Sequence, residues 1–135
     1  MDALLIQLGI ALFLLGLLTG FVIPKLKNPR MGLSSHLEGV LNGIFLVALG
    51  LLWERLHLPA VWLAVAFWLA IYGTFINWLA TLLAAVWGAG AMMPIAAQGN
   101  KSSAARESVI KFLLGTLSLA MVAVCALVIA GLRAA

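Results

Sequence analysis

The chain reads as four long apolar runs, 3–23, 36–56, 60–88 and 108–132, divided by three polar breaks. A helix needs roughly 20 apolar residues to cross a bilayer, and each run supplies them. The pattern predicts an all-α integral membrane protein, a four-transmembrane-helix bundle forming a single domain over 1–135. The first run carries no charge and stops at Pro24, which cannot continue the helical hydrogen-bond ladder. Within it, Gly16 and Gly20 form a small-xxx-small pair, a sign of close helix approach. The first break, 24–35, contains an Asn28-Pro29 turn signal and offers Ser34 or Ser35 as the N-cap of the second helix. Pro59 punctuates a tight turn between runs two and three, so these are expected to be antiparallel neighbours. Run three exceeds what a bilayer requires, which predicts a helix that tilts, kinks or extends past the interface. Its Gly73, Asn77, Ala80, Thr81, Ala84 and Gly88 form one small and polar stripe at helical spacing, with Trp62 and Trp87 near the two ends. The break 89–107 is the longest and carries Gly90, Pro94 and a polar tract, the pattern of a flexible lid or disordered segment. In run four, Gly115, Ser118, Cys125 and Ala126 share a face expected to pack closely on a neighbour.

Composition agrees with this patterning and excludes a soluble domain. Of 135 residues, 65% are hydrophobic and 9% charged, with a mean hydropathy of +1.19, too little polar material to solvate a globule. The first run is preceded by Asp2 rather than a basic stretch and lacks a small-residue cleavage site, so it is expected to remain as a span. The net charge of +4 is distributed by topology. Lys25, Lys27 and Arg30 lie in the first break and Lys101, Arg106 and Lys111 in or beside the third, whereas Arg55 and Arg133 fall at the opposite side. The positive-inside rule then puts loops one and three in the cytoplasm of a bacterial-type inner membrane protein. The single cysteine, Cys125, allows no disulfide framework and reads as a small buried hydrophobe.

The chemistry concentrates where run two opens, in Ser34-Ser35-His36-Leu37-Glu38-Gly39-Val40-Leu41-Asn42-Gly43. Ionisable groups at membrane depth are costly and tend to be functional. At about 100° per residue, His36, Gly39 and Gly43 share one helical face, while Glu38 and Asn42 share a neighbouring one. A histidine beside two glycines offers a ligand over bare backbone on which a planar cofactor would lie; the alternative is an interfacial histidine at a helix start with a packing glycine pair. Asn42 and Asn77 either orient a ligand or bond each other across runs two and three as structural glue. Glu38 near the cytoplasmic end has the simpler role of complementing the helix N-terminus. Tyr72 lies away from the Asn77 stripe and suits a lipid or helix anchor. His57 lies roughly 30 Å from His36 on a continuous helix, so the two cannot ligate one haem within a chain. A haem on His36 would therefore keep an open position. No cysteine pair, His-x-x-x-His, carboxylate cluster, phosphate loop, serine-histidine-acid set or basic-aromatic surface for nucleic acid competes.

With these residues in view, the chain resembles the hydroxylaminobenzene mutases, small membrane isomerases of nitroaromatic breakdown, over its whole length and layout. More distantly it is similar to styrene oxide isomerase, through His36-x5-Asn42-Gly43 and Asn77. The resemblance implies a homotrimer of four-helix protomers with ferric haem b between subunits. It carries the axial histidine onto His36 and the pocket asparagines onto Asn42 and Asn77. The pocket tyrosine of the isomerase aligns with Thr81 here, so that either Thr81 takes a smaller polar role or a group such as Tyr72 swings in. The implied reaction converts an arylhydroxylamine into an ortho-aminophenol, the iron serving as a Lewis acid. Two other classes remain in view: a four-span exporter of aromatic or cationic compounds, and a haem-binding subunit without chemistry of its own. A proton-coupled exporter would want a carboxylate in run one, which has none.

Overall fold

A computed structural model describes residues 1–133, and among them every regular element is helical. Helix α1 spans Asp2–Val22 and runs into a 3-10 turn, Ile23–Lys25. Helix α2 spans Pro29–Leu52, followed by a second 3-10 turn at Trp53–Arg55, and α3 spans Ala60–Trp87. A single turn, α4, covers Pro94–Ala97 before α5, Ala104–Arg133. Four helices, α1, α2, α3 and α5, are long and apolar enough to cross a membrane. They stand side by side: α1 packs on α2, α2 on α3, and α3 on α5.

The second helix begins earlier than its apolar run. Asn28, not Ser34 or Ser35, is the N-cap: its side-chain oxygen accepts from the Met31 amide at 3.1 Å, and Pro29 fills the first helical position. The cap wins because it does a second job, donating through Nδ2 to the carbonyls of Ala96 and Ala97 at 3.0 and 3.1 Å. His36 and Glu38 consequently lie about two turns inside the helix rather than at its start. A carboxylate that deep cannot complement the helix N-terminus, whose field falls off within the first turn.

Helices α1 and α2 meet backbone to backbone. A Cβ at Gly16 would lie 2.6 Å from the Val40 amide nitrogen, and one at Gly39 only 2.5 Å from the Gly16 Cα. A Cβ at Gly9 would reach the Gly43 carbonyl at 2.7 Å, and one at Gly43 the Phe13 nitrogen at 2.6 Å. The Gly16/Gly20 pair divides its work: Gly16 admits α2, while Gly20 leaves space for the His36 ring, whose Nδ1 a Cβ there would approach to 3.1 Å. Between α2 and α3 the core is larger, with Leu46, Leu49, Trp53, Phe67 and Ala70 buried.

The expected stripe on α3 is not one surface. Eight residues rotate a helix by roughly 80° beyond whole turns, so Gly73 faces α5, where its Cβ would meet Met121, while Asn77 and Thr81 face α2. Helix α3 is unbroken and ends at Gly88, a C-cap in the left-handed region at φ 69°. Its 28 residues extend about 42 Å, past an apolar core of about 30 Å. On α5 the small-residue face also points elsewhere than expected. Ile110, Leu117, Ala120 and Val124 are buried, whereas Cys125 is exposed and a Cβ at Gly115 would meet nothing within 4 Å. Bulkier residues fill the groove of α3, so the small ones are left outside.

The third connection folds rather than trailing. The Glu107 carboxylate accepts from the amides of Gly90 at 3.0 Å, Ala91 at 3.0 Å and Ser102 at 3.1 Å, tying both ends of the loop to the start of α5. Arg106 lies over the Trp87 ring at 5.6 Å. Loops one and three therefore share an end of the bundle, and at the other end the His57 amide donates to the Gly131 carbonyl at 3.1 Å.

The glycine seam yields a paired expectation. Gly16→Ala should destabilise the bundle by about 1–3 kcal/mol, because backbone cannot move aside, while Gly115→Ala should be neutral or slightly stabilising. Thermal unfolding in detergent reads both; equal midpoints would contradict the seam.

Candidate functional site

On the α1 side of α2, the His36 ring is fixed by its Nδ1, which lies 2.8 Å from the Gly16 carbonyl. A carbonyl only accepts, so Nδ1 carries the proton and the Nε2 lone pair is free. This is how ligating histidines are set: the second nitrogen is committed to a protein acceptor and the first to the metal. The half-buried ring thus has the donor chemistry to hold a metal through Nε2. The floor expected of Gly39 and Gly43 does not exist within the protomer, because α1 occupies that surface. Both glycines serve helix packing. Among the described residues no group of three His, Cys, Asp or Glu side chains is placed to hold a metal ion.

On the α3 side, the polar groups converge on one atom. Glu38 Oε2 accepts from Asn42 Nδ2 at 3.0 Å and from Asn77 Nδ2 at 2.6 Å. Asn42 Nδ2 also donates to the Glu38 backbone carbonyl at 2.8 Å. The two asparagines therefore do not bond each other; the carboxylate stands between them. Nearby, Ser35 donates to the Trp78 carbonyl at 3.1 Å, and the Trp78 indole donates to Thr19 of α1 at 3.0 Å. Trp78 thereby spans from α3 to α1 across the edge of α2.

Thr81 is buried and gives its hydroxyl proton to its own helix, to the carbonyls of Asn77 and Trp78, both at 2.9 Å. With Glu38 it lines an open cleft of about 440 Å³ that also meets Arg30, Ser34, Met92 and Met93 under the α4 turn. Tyr72 is not part of this group. Its hydroxyl is 2.7 Å from Thr116 Oγ1 on α5, the anchoring role suggested by its place on the helix.

His36 and the carboxylate-amide group lie on opposite flanks of α2. His36 and Glu38 are two residues apart, about 200° around the helix, so a single ligand within one protomer does not face both. Sequence reasoning undervalued Glu38, although its i,i+4 spacing from Asn42 was a usable signal for side-chain pairing. The Ser35 and Thr19 bonds to Trp78 join distant segments and leave no such local mark.

The chain as a whole is similar to known proteins. The styrene oxide isomerase family model matches residues 1–133. Hydroxylaminobenzene mutase HabB of Ectopseudomonas oleovorans is 64% identical over 132 residues, covering 97% of this chain and 80% of that protein. Hydroxylaminobenzene mutase HabA of the same organism is 49% identical over 133 residues, covering 98% of each. No solved structure matches the chain. A family model that matches residues 1–133 places this four-helix chain in the styrene oxide isomerase family.

Proposed function

We propose that this protein is a membrane-embedded mutase that converts hydroxylaminobenzene into 2-aminophenol. The reading is carried by the carboxylate-amide cluster of Glu38, Asn42 and Asn77 inside an apolar bundle whose mutase relatives match it almost end to end. A proton-coupled exporter would need a carboxylate free of such commitments, whereas Glu38 holds both asparagines.

The reaction moves a hydroxyl from nitrogen to the ortho carbon, with no net oxidation or reduction. The N–O bond must be polarised until it breaks, and the oxygen must reach the ring before water captures the cation. His36 would hold ferric haem b through Nε2; such an iron, when bound, supplies a Lewis acid for the hydroxyl oxygen. The residues of the chain do the rest. Asn42 and Asn77 orient the substrate through their carboxamides, and the apolar helices keep bulk water from the reacting centre. Thr81 adds a small polar contact in the cleft.

Because His36 and the asparagines occupy opposite flanks of α2, completing one site takes two copies, one giving His36 and the next its asparagines. Such a head-to-tail contact, repeated with a rotation of about 120°, would close into a homotrimer carrying haem between subunits. The end bearing Lys25, Lys27, Arg30, Lys101 and Arg106 faces the cytoplasm of an inner membrane by the positive-inside rule.

His36→Ala should insert normally and lose both the haem absorption band and turnover; a wild-type spectrum would remove His36 as ligand. Asn42→Ala and Asn77→Ala should keep the band yet lower turnover by about tenfold or more, as positioned groups do, with Tyr72→Phe near wild type. Unchanged rates in both alanine variants would return the asparagines to helix packing. The origin of the phenolic oxygen tests the transfer itself. In oxygen-18 water, 2-aminophenol should form without label, and substantial incorporation would show that solvent, not the substrate, supplies the hydroxyl.

A further inference from the structure

We propose that Glu38 is the positioning residue of the site, the group that sets the orientation of both asparagine carboxamides; this rests on the mutase reading above. A carboxamide has two nearly isosteric ends, one donating and one accepting, and nothing in its shape selects between them. Here the selection is electrostatic. Glu38 Oε2 accepts from Asn42 at 3.0 Å and Asn77 at 2.6 Å, so both NH₂ groups turn toward it and both Oδ1 atoms turn away. Asn42 is held most firmly, since the Glu38 backbone carbonyl takes its other N–H at 2.8 Å.

The outcome is two carboxamides, one on α2 and one on α3, that each keep Oδ1 rather than NH₂ for a ligand. An arylhydroxylamine brings the matching groups, an N–H and an O–H, and two fixed acceptors define which way its ring and oxygen face. Without the Glu38 side chain Asn42 keeps its bond to the backbone carbonyl of residue 38, but the Asn77 carboxamide loses its partner and is free to turn its NH₂ rather than its Oδ1 to the substrate. The side-chain length matters as much as the polarity. Glu38 reaches Asn42 on its own helix and Asn77 on the next with a single oxygen, and a side chain one methylene shorter cannot reach both. Glutamine keeps that reach and one carbonyl oxygen.

The test compares Glu38→Gln, Glu38→Asp and Glu38→Ala in the full-length, membrane-extracted protein. Gln should retain kcat within about threefold, while Asp and Ala should lose about tenfold or more. Loss of orientation should also lower the ratio of 2-aminophenol to 4-aminophenol in Asp and Ala, with Gln keeping the wild-type ratio. In an Asn77→Ala background, Glu38→Ala should add little further loss, because residues acting through one another are not additive. An Asp variant equal to wild type, a Gln variant as poor as Ala, an unchanged product ratio or full additivity would each overturn the assignment. The Gln and Asp pair decides the matter even where Ala fails to insert. Side-chain amide signals of ¹⁵N-asparagine-labelled protein, with Asn77 assigned by its loss in Asn77→Ala, give a reading that needs no turnover: the slowly exchanging NH₂ protons of Asn77 should persist in Gln and be lost in Asp. Their persistence in Asp overturns the proposal. A wild-type protein inactive on hydroxylaminobenzene would sink the mutase reading, and the amide signals would still decide the role of Glu38.

Discussion

The direct contact between the backbones of α1 and α2 is the constraint from which the polar architecture follows. With Gly9 and Gly16 against Gly43 and Gly39, no side chains separate the two helices over much of their length. A main-chain carbonyl of α1 can then serve as the hydrogen-bond partner of a side chain on α2, as Gly16 does for His36. The same closeness lets Trp78 of α3 reach Thr19 past the edge of α2. In an apolar solvent each such group must find its partner within the protein. Among the described residues no buried side-chain nitrogen or oxygen lacks one.

Much of the fold was legible because hydropathy and length nearly determine it. The four spans and their sided charges follow from runs of apolar residues interrupted by Pro24, Pro59 and Gly88. What the pattern misplaced was direction around the helix axis. Gly73 and Asn77 looked like one stripe, yet a 40° step for every four residues sent them to different neighbours. The small face of α5 looked like an interface, but Leu117 and Val124 took the groove instead. Helix packing is chosen by complementary shape, which a single sequence does not display.

The site was half legible for a related reason. His36, Asn42 and Asn77 stood out as polar groups in apolar surroundings, and that contrast is visible one residue at a time. Their mutual relations were not. Gly39 and Gly43 admitted two readings, a cofactor floor or a helix seam, and only the position of α1 decides for the seam. Glu38 looked terminal because the helix start was placed at Ser34 or Ser35. Once Asn28 caps the helix, the same carboxylate lies two turns inside the span, where the amides of Asn42 and Asn77 hold it.

The carboxylate of Glu107 has a consequence for how this chain can change length. By gathering the amides of Gly90, Ala91 and Ser102 it acts as a drawstring, closing the loop at its base independently of what lies at its tip. Loop closure entropy grows only slowly with length, about 0.6 kcal/mol for each doubling. Extra residues beside the exposed Lys101 would therefore leave the helices and the cleft beneath α4 almost undisturbed. That position, beside the Ser102 anchor, is where this compact bundle can carry a peptide tag or acquire a longer loop.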